Sequence, residues 1–176
     1  MKMESDILTE CNVDTLIAKT ILYPKKDYMH KKGCNNVLKA MREEFANQAA
    51  FGIIDDDKSV PQVIQEDFSL LKKHNEQLSI YKHKNKPHYI VKLSKAAEDF
   101  TLKNAEKCHI ALSDYNLPSD LEGLKNRTKK AVSLLDTDLK RLFLALKQDE
   151  NSDFHKLTQW IELFKANPYN IDIEQL

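Results

Sequence analysis

Short apolar runs alternate with amphipathic stretches through the first half of the chain. The runs with the length and apolar content of strands are residues 7–10, 28–30, 50–55, 78–82 and 88–93. The stretches with apolar side chains at helical spacing are residues 13–22, 35–47 and 60–74. Strands that alternate with helices predict an α/β fold with a mostly parallel, Rossmann-like sheet flanked by helices.

The last two predicted strands are separated by a turn at residues 84–87, which contains Pro87. A parallel crossover needs a dozen or more residues, so these strands are predicted to form an antiparallel hairpin.

The pattern after residue 93 is wholly helical. The predicted helices are residues 95–110, 121–131, 136–147 and 154–166, with a break at 113–118. We therefore expect an α/β domain over residues 1–112 and a helical extension over 113–176 packed on it. A single domain that includes both parts remains open.

Three consecutive carboxylates end the predicted strand at residues 50–55. On an extended chain Asp55 and Asp57 point to one side and Asp56 to the other. Ligands of open α/β sheets bind at the carboxyl ends of the strands, and clustered acids there repel one another unless a cation neutralises them. The pattern indicates a divalent-metal site on Asp55 and Asp57. Two alternatives stay open: an acidic helix N-terminus, and neutralisation of the acids by Lys58.

A second pair of acids follows the first predicted strand. Glu10 ends that strand, and Asp14 lies at or just inside the next helix. Two strand ends of one sheet bring these acids toward the same edge as Asp55 and Asp57. Mg²⁺ binds a few carboxylate oxygens together with water and phosphate oxygens, so Mg²⁺ or Mn²⁺ is the expected ion.

A strand ending in Glu10, Asp14 four residues later, and a later strand ending in Asp55-x-Asp57 resemble a Toprim domain, the metal-binding fold of topoisomerases, primases and OLD-family nucleases. The Gly33-led turn into a helix also resembles that family, and the likeness covers roughly residues 7–98. One departure is Cys11, where the family usually has a glycine that lets backbone approach a phosphate.

The resemblance implies a role for each acid. Glu10 becomes the general acid/base or a metal-proximal carboxylate, Asp55 and Asp57 become metal ligands, and Asp14 is a supporting acid. OLD-type nucleases resemble a variant with a further acid after the later strands, for which Glu98 is the candidate. The alternative for Glu98 is an acid that stabilises a helix N-terminus, with Ser94 as the cap.

Composition limits the other function classes. The chain has 27 basic and 27 acidic residues and three glycines, so it has no global attraction to nucleic acid and no phosphate-binding glycine loop. The three cysteines lack metal-ligand spacing, which favours reduced thiols in a cytoplasm. No apolar stretch has the roughly 20 residues of a membrane span, and the acidic start does not resemble a signal peptide.

The hairpin turn carries the strongest local basic patch. Lys82, Lys84 and Lys86 share one side of an extended chain and, with Lys58, are the candidate nucleic-acid contacts. The alternative is an exposed hairpin tip whose lysines discourage edge pairing. The functional interpretation requires the tip to emerge at the same sheet edge as the acids.

The resemblance therefore predicts a Mg²⁺-dependent phosphodiester-processing protein, a small OLD-like nuclease acting on DNA or RNA. A non-catalytic module of the same fold, acting through a protein partner such as an ATPase, is the second hypothesis. A phosphate-accepting receiver domain is a weaker third, because no isolated acceptor Asp or distant Lys can be assigned.

Overall fold

The computed structural model describes residues 6–23, 28–57, 61–129 and 135–176. The strands are β1 (Ile7–Thr9), β2 (Met29–His30), β3 (Ala50–Asp56), β4 (Phe68–Lys73), β5 (Leu78–His83) and β6 (His88–Ser94). The helices are α1 (Asn12–Leu22), α2 (Cys34–Glu43), α3 (Gln62–Asp67), α4 (Ala97–Lys107), α5 (Leu121–Thr128), α6 (Thr137–Gln148) and α7 (Asp153–Ala166). Short 3₁₀ helices lie at Leu112–Tyr115 and Ile173–Gln175.

Within these ranges the strands form one sheet in the order β2-β1-β3-β6-β5-β4. The neighbours β2-β1, β1-β3 and β3-β6 are parallel, and β6-β5 and β5-β4 are antiparallel. The predicted α/β class with a mostly parallel sheet is confirmed, as is the hairpin of the last two strands. The parallel part explains the apolar sequence of β3, since a central parallel strand is covered on both faces.

Two apolar layers cover the sheet. Helices α1, α4, α6 and α7 pack on one face, where Phe51 of β3 meets Phe164 of α7 with ring centroids 5.2 Å apart. Helices α2 and α3 pack on the other face, around Val37 and Ile64. The helices after residue 112 thus share their core with the sheet, which fixes the elements around its carboxyl edge.

The prediction of one helix over residues 60–74 is wrong in its second half. Helix α3 ends at Asp67, and the chain continues directly into the edge strand β4, which pairs with β5. The Asn75 side chain accepts hydrogen bonds from the N–H groups of Gln77 and Leu78 at 2.7 and 3.1 Å and closes the β4-β5 turn. This local turn and the free edge of β5 outweigh the helical spacing of the apolar residues.

The remaining helices agree with the predicted ones to within a few residues, and the predicted break at 113–118 overlaps the first 3₁₀ helix. Val60 and Ala131, at the ends of two predicted helices, lie outside the described residues. Among the helices that the structure describes, none has the length and apolar character required to cross a bilayer.

Candidate functional site

The carboxyl ends of β1 and β3 lie side by side. The two strands pair in parallel with Thr9 opposite Ile53, and the pairing extends one residue further because the N–H of Glu10 donates to the carbonyl of Ile53 at 3.2 Å. Glu10 and Asp55 therefore leave the sheet at the same edge. The expected convergence of the two acidic strand ends is a property of this parallel register.

Glu10 is held by backbone donors from two elements. Its Oε2 accepts a hydrogen bond from the N–H of Asp55 at 3.0 Å, and its carboxylate also accepts from the N–H of Cys34, the first residue of α2. Burial raises the pKa of the Glu10 carboxyl, these backbone donors lower it, and the charge of Asp57 raises it again, with a net upward shift.

Gly33 positions the start of α2 against Glu10. Its φ of 93° and ψ of 151° belong to a region that essentially only glycine adopts, and its N–H donates to the carbonyl of Glu10 at 3.0 Å.

We predict that Gly33→Ala lowers the free energy of unfolding by about 1–2 kcal/mol through backbone strain alone, because a Cβ there meets no atom within 4 Å. Urea unfolding measures the change.

The matched control is Asn35→Ala, which replaces an exposed residue of the same helix and is expected to leave stability the same or slightly higher. Equal unfolding curves for the Gly33 variant and the wild type would show that this backbone conformation carries no strain.

Asp14 is buried at the start of α1 in a capping box with Cys11. The N–H of Cys11 donates to Asp14 Oδ2 at 3.3 Å, and the N–H of Asp14 donates to Cys11 Sγ at 3.4 Å. Asp14 is 0% exposed, and its Oδ1 is buried with no hydrogen-bond donor among the described residues. Burial raises the pKa of Asp14 well above its usual range, and the charges of Asp55 and Glu10 add to that effect.

Asp55 is half-buried and approaches α1 and α4. The N–H of Ala97 donates to its carboxylate, while its Oδ1 is buried and has no donor within the described part of the chain. Burial, followed by the charges of Glu10, Glu98 and Asp57, raises the pKa of Asp55 to about 8. Asp56 points to the opposite face, where its Oδ1 lies 3.2 Å from the Nζ of Lys92.

Of the five acids predicted for the site, the structure brings two, Asp14 and Asp55, into one cluster with Cys11. One oxygen each of Asp14 and Asp55 and the sulfur of Cys11 lie within 4.8 Å of one another. Glu10 contacts the same segment through the backbone of Asp55. Asp57 is exposed beyond the end of β3 and acts on Glu10 and Asp55 through its charge.

Glu98 lies in the first turn of α4, and its charge raises the pKa of Asp55. Its Oε1 accepts a hydrogen bond from the hydroxyl of Thr128 in α5 at 2.5 Å. Ser94 does not cap this helix: it ends β6, and the N-cap is Ala96, which has no side-chain cap bond. Glu98 therefore borders the acid cluster from the α4 side.

The candidate nucleic-acid contacts are at the wrong edge for a joint site. Because β6 is parallel to β3 and β5 antiparallel to β6, the turn after β5 emerges at the amino end of β3, where Ala50 pairs with His88. The three hairpin lysines, Lys82, Lys84 and Lys86, therefore lie at the sheet edge opposite the acids. Their interpretation as nucleic-acid contacts required the hairpin tip to be at the same edge as the acids, and it is not. Lys58 lies outside the described residues.

Three residues at the acidic edge were not among the candidates from the sequence. Lys92 of β6 is nearly buried beside Asp56, with its Nζ 4.8 Å from the centre of the Tyr81 ring. Cys34 starts α2, and burial together with the charges of Glu10 and Asp57 raises the pKa of its thiol to about 12. Cys11 contributes its sulfur to the cluster. A lysine inside the apolar run of β6 was the one available sequence signal, because a charge on a buried strand needs a partner.

A cation fits the residues that are present. Asp14 and Asp55 each present a buried oxygen that has no donor among the residues the structure describes, whereas buried polar atoms in proteins are normally hydrogen-bonded. The neighbouring acids add negative charge, and carboxylate oxygens are the ligands that Mg²⁺ and Mn²⁺ prefer.

Comparison of the chain with models of protein families, with curated proteins and with solved structures gives no match.

Proposed function

We propose that this chain is a Mg²⁺- or Mn²⁺-dependent phosphodiester-processing protein of the Toprim type, a small OLD-like nuclease acting on nucleic acid. The observation that supports the proposal most is the pair of buried oxygens of Asp14 and Asp55 at the carboxyl edge of the parallel strands, which have no hydrogen-bond partner within the described part of the chain. Ligands of α/β sheets bind at that edge, and an uncompensated pair of buried carboxylates is costly without a cation.

Because its Oδ1 is buried beside Asp55, we assign Asp14 as a direct ligand of the cation, whereas the sequence resemblance implied only a supporting acid. Asp14 and Asp55 would hold the cation, and Asp57 and Glu98 would add charge from the two sides. When bound, the cation would polarise a phosphate oxygen and lower the pKa of an attacking water.

Glu10 is the proposed proton-transfer group. Its carboxylate is half-buried and oriented by the N–H groups of Asp55 and Cys34, so it does not need to reorganise when substrate binds. Its raised pKa brings the carboxyl closer to neutral pH, which is where a general base works best.

Contacts to a phosphate backbone must come from local cations, because the formal net charge of the chain is zero. The exposed Lys95 lies just beyond the carboxyl end of β6, the strand adjacent to β3, and takes the place that the hairpin lysines held in the sequence-based hypothesis. Lys92 is nearly buried and paired with Asp56 on the opposite face, so it is not assigned to this contact.

The proposal is tested with end-labelled single-stranded DNA, double-stranded DNA and RNA in Mn²⁺, in Mg²⁺ and in chelator. We predict cation-dependent cleavage of at least one of these substrates. Glu10→Gln is expected to reduce the cleavage rate about 100-fold or more, since a positioned general base contributes 10²–10⁴-fold. The matched control is Glu106→Gln, an exposed glutamate of α4 away from the cluster, which is expected to cleave at the wild-type rate.

Cleavage that continues in chelator, or an equal rate for the Glu10 variant, would overturn the proposed mechanism. A wild-type protein that binds Mn²⁺ and cleaves none of the three substrates would instead favour the second hypothesis, a non-catalytic module that acts with a protein partner.

A further inference from the structure

The acid cluster contains a thiol. Cys11 Sγ lies within 4.8 Å of an oxygen of Asp14 and an oxygen of Asp55, and the three groups come from two elements that the parallel sheet places together, the start of α1 and the end of β3. Among the described residues, this is the group of cysteine, histidine and acidic side chains with the spacing of a metal site.

The geometry of the helix start directs the thiol into the cluster. Cys11 is the N-cap of α1, and its sulfur accepts a hydrogen bond from the N–H of Asp14. The same capping box occupies Asp14 Oδ2, while Asp14 Oδ1 has no donor in the described ranges of the chain. The box therefore fixes both residues while leaving the sulfur and one oxygen available to a ligand.

The buried oxygens provide independent evidence for a ligand at this place. Asp14 is fully buried, so bulk solvent does not reach its Oδ1, and Asp55 Oδ1 is likewise buried; neither oxygen has a hydrogen-bond donor among the described residues. Burial, followed by the charges of neighbouring acids, raises the pKa of each of the two acids, and a cation between them would satisfy both oxygens and offset that unfavourable charge.

We propose that Cys11, Asp14 and Asp55 form a three-ligand site for a thiophilic divalent cation of the zinc class. Thiolate ligands select Zn²⁺ and related soft ions, whereas a purely oxygen site favours Mg²⁺ or Mn²⁺. Two carboxylates and one thiolate leave a fourth position of a tetrahedral ion open to water or substrate.

Binding requires the thiol to lose its proton. The S–H bond of Cys11 and the O–H bonds of the protonated Asp14 and Asp55 carboxyls break, one sulfur–metal and two oxygen–metal bonds form, and each proton passes to the buffer. The divalent cation with one thiolate and two carboxylates is then a complex of net charge −1. Burial and the charges of Asp14 and Asp55 raise the pKa of this thiol in the free protein, and a cation between the acids reverses that effect.

A zinc-class cation at this site would compete with Mg²⁺, because both use Asp14 and Asp55. Only this competition rests on the proposed function. The three-ligand site itself stands on the geometry of the cluster.

The test is a titration of the whole chain with Cd²⁺, followed by the ultraviolet charge-transfer band of the cadmium–thiolate bond. We expect one equivalent of Cd²⁺ to give the band in the wild type, Cys11→Ser to lose it, and Asp14→Asn to weaken Cd²⁺ binding at least tenfold. Serine is a favoured N-cap residue, so Cys11→Ser is expected to keep α1 and the fold, which its circular dichroism checks.

Two matched cysteine variants control the assignment. Cys108→Ser lies at the far end of α4 and is expected to keep the full band. Cys34→Ser removes the other thiol near Glu10 and is also expected to keep it. A band that survives in Cys11→Ser and disappears in Cys34→Ser would overturn the assignment, as would the absence of any band in the wild type.

Mn²⁺ binding by Cys11→Ser separates this inference from the proposed function. Retained Mn²⁺ binding with loss of the cadmium band is the expected result. No cadmium band in a wild-type protein that binds Mn²⁺ would overturn the thiol site alone. A cadmium band in a protein that binds neither Mn²⁺ nor Mg²⁺ would support the thiol site and overturn the proposed function.

Discussion

We expect Asp55→Asn to be more stable than the wild type in the cation-free protein at about pH 8, although the substitution removes a residue of the proposed site. The difference in free energy of unfolding between variant and wild type is expected to grow by about 2–4 kcal/mol between about pH 5 and pH 8. The pKa of Asp55 rises from 3.8 in the unfolded chain to about 8 in the fold. The folded wild type thus holds a proton that the unfolded chain releases, so its stability falls as pH rises through that window. Asparagine stays neutral and avoids the loss.

The measurement is urea unfolding in chelator at both pH values. Partial desolvation lowers the pKa values of His74, His83 and His88, and these groups act in the opposite direction, because a histidine whose pKa is lowered in the fold contributes stability that is lost as pH falls below its unfolded pKa of 6.5. The difference between variant and wild type cancels this contribution.

Asp114→Asn is the matched control, because Asp114 is exposed in the 3₁₀ helix and distant in sequence from the cluster. Its stability is expected to follow the wild type at both pH values. A variant at Asp55 that is less stable than the wild type at pH 8 would contradict the pKa shift and the buried, unpaired carboxylate that causes it.

We expect the affinity of the wild type for Mn²⁺ to rise steeply with pH. We expect the Kd to fall at least tenfold, and up to about 100-fold for each displaced proton, between about pH 6 and pH 8. Asp55, with a pKa of about 8, and Asp14, whose pKa is raised well above its usual range, must both release protons before they can bind a cation. Below pH 8 the cation therefore competes with protons.

Calorimetry in two buffers with different ionisation enthalpies measures both the affinity and the protons released. Asp14→Asn removes one of the two titrating ligands, so it is expected to bind more weakly and to release fewer protons. A Kd that changes less than about twofold over the same range would show that no carboxyl with a raised pKa belongs to the site.

Features that depend on local pattern could be predicted from the sequence. The apolar run of β3 and the abrupt change to Asp55-Asp56-Asp57 are typical of a buried parallel strand that ends at a sheet edge, and the structure places both there. The short turn before His88 required an antiparallel hairpin, and β5 and β6 form it. Strand ends in a parallel sheet converge by register, which is why Glu10 and Asp55 meet.

Features that depend on strand order could not be predicted. The sequence pattern does not indicate whether β5 or β6 pairs with β3. Because β6 is the partner, the hairpin lysines lie at the opposite edge of the sheet and Lys92 lies beside Asp56. Strand β4 was missed because residues after Val63 keep helical spacing while the partner edge of β5 decides their conformation. The capping box of α1 directs the sulfur of Cys11 into the cluster, and cysteine is not among the usual N-cap residues, so the sequence did not indicate this position.

The measurement that tests the cation site most directly is anomalous diffraction from crystals of the protein soaked in Mn²⁺ at about pH 8, where Asp55 can lose its proton. We predict an anomalous peak between Asp14 and Asp55, about 2.0–2.2 Å from an oxygen of each. The same soak of Asp55→Asn crystals is expected to lose the peak. A wild-type map with no peak between these two carboxylates, or with manganese bound only elsewhere, would contradict the account.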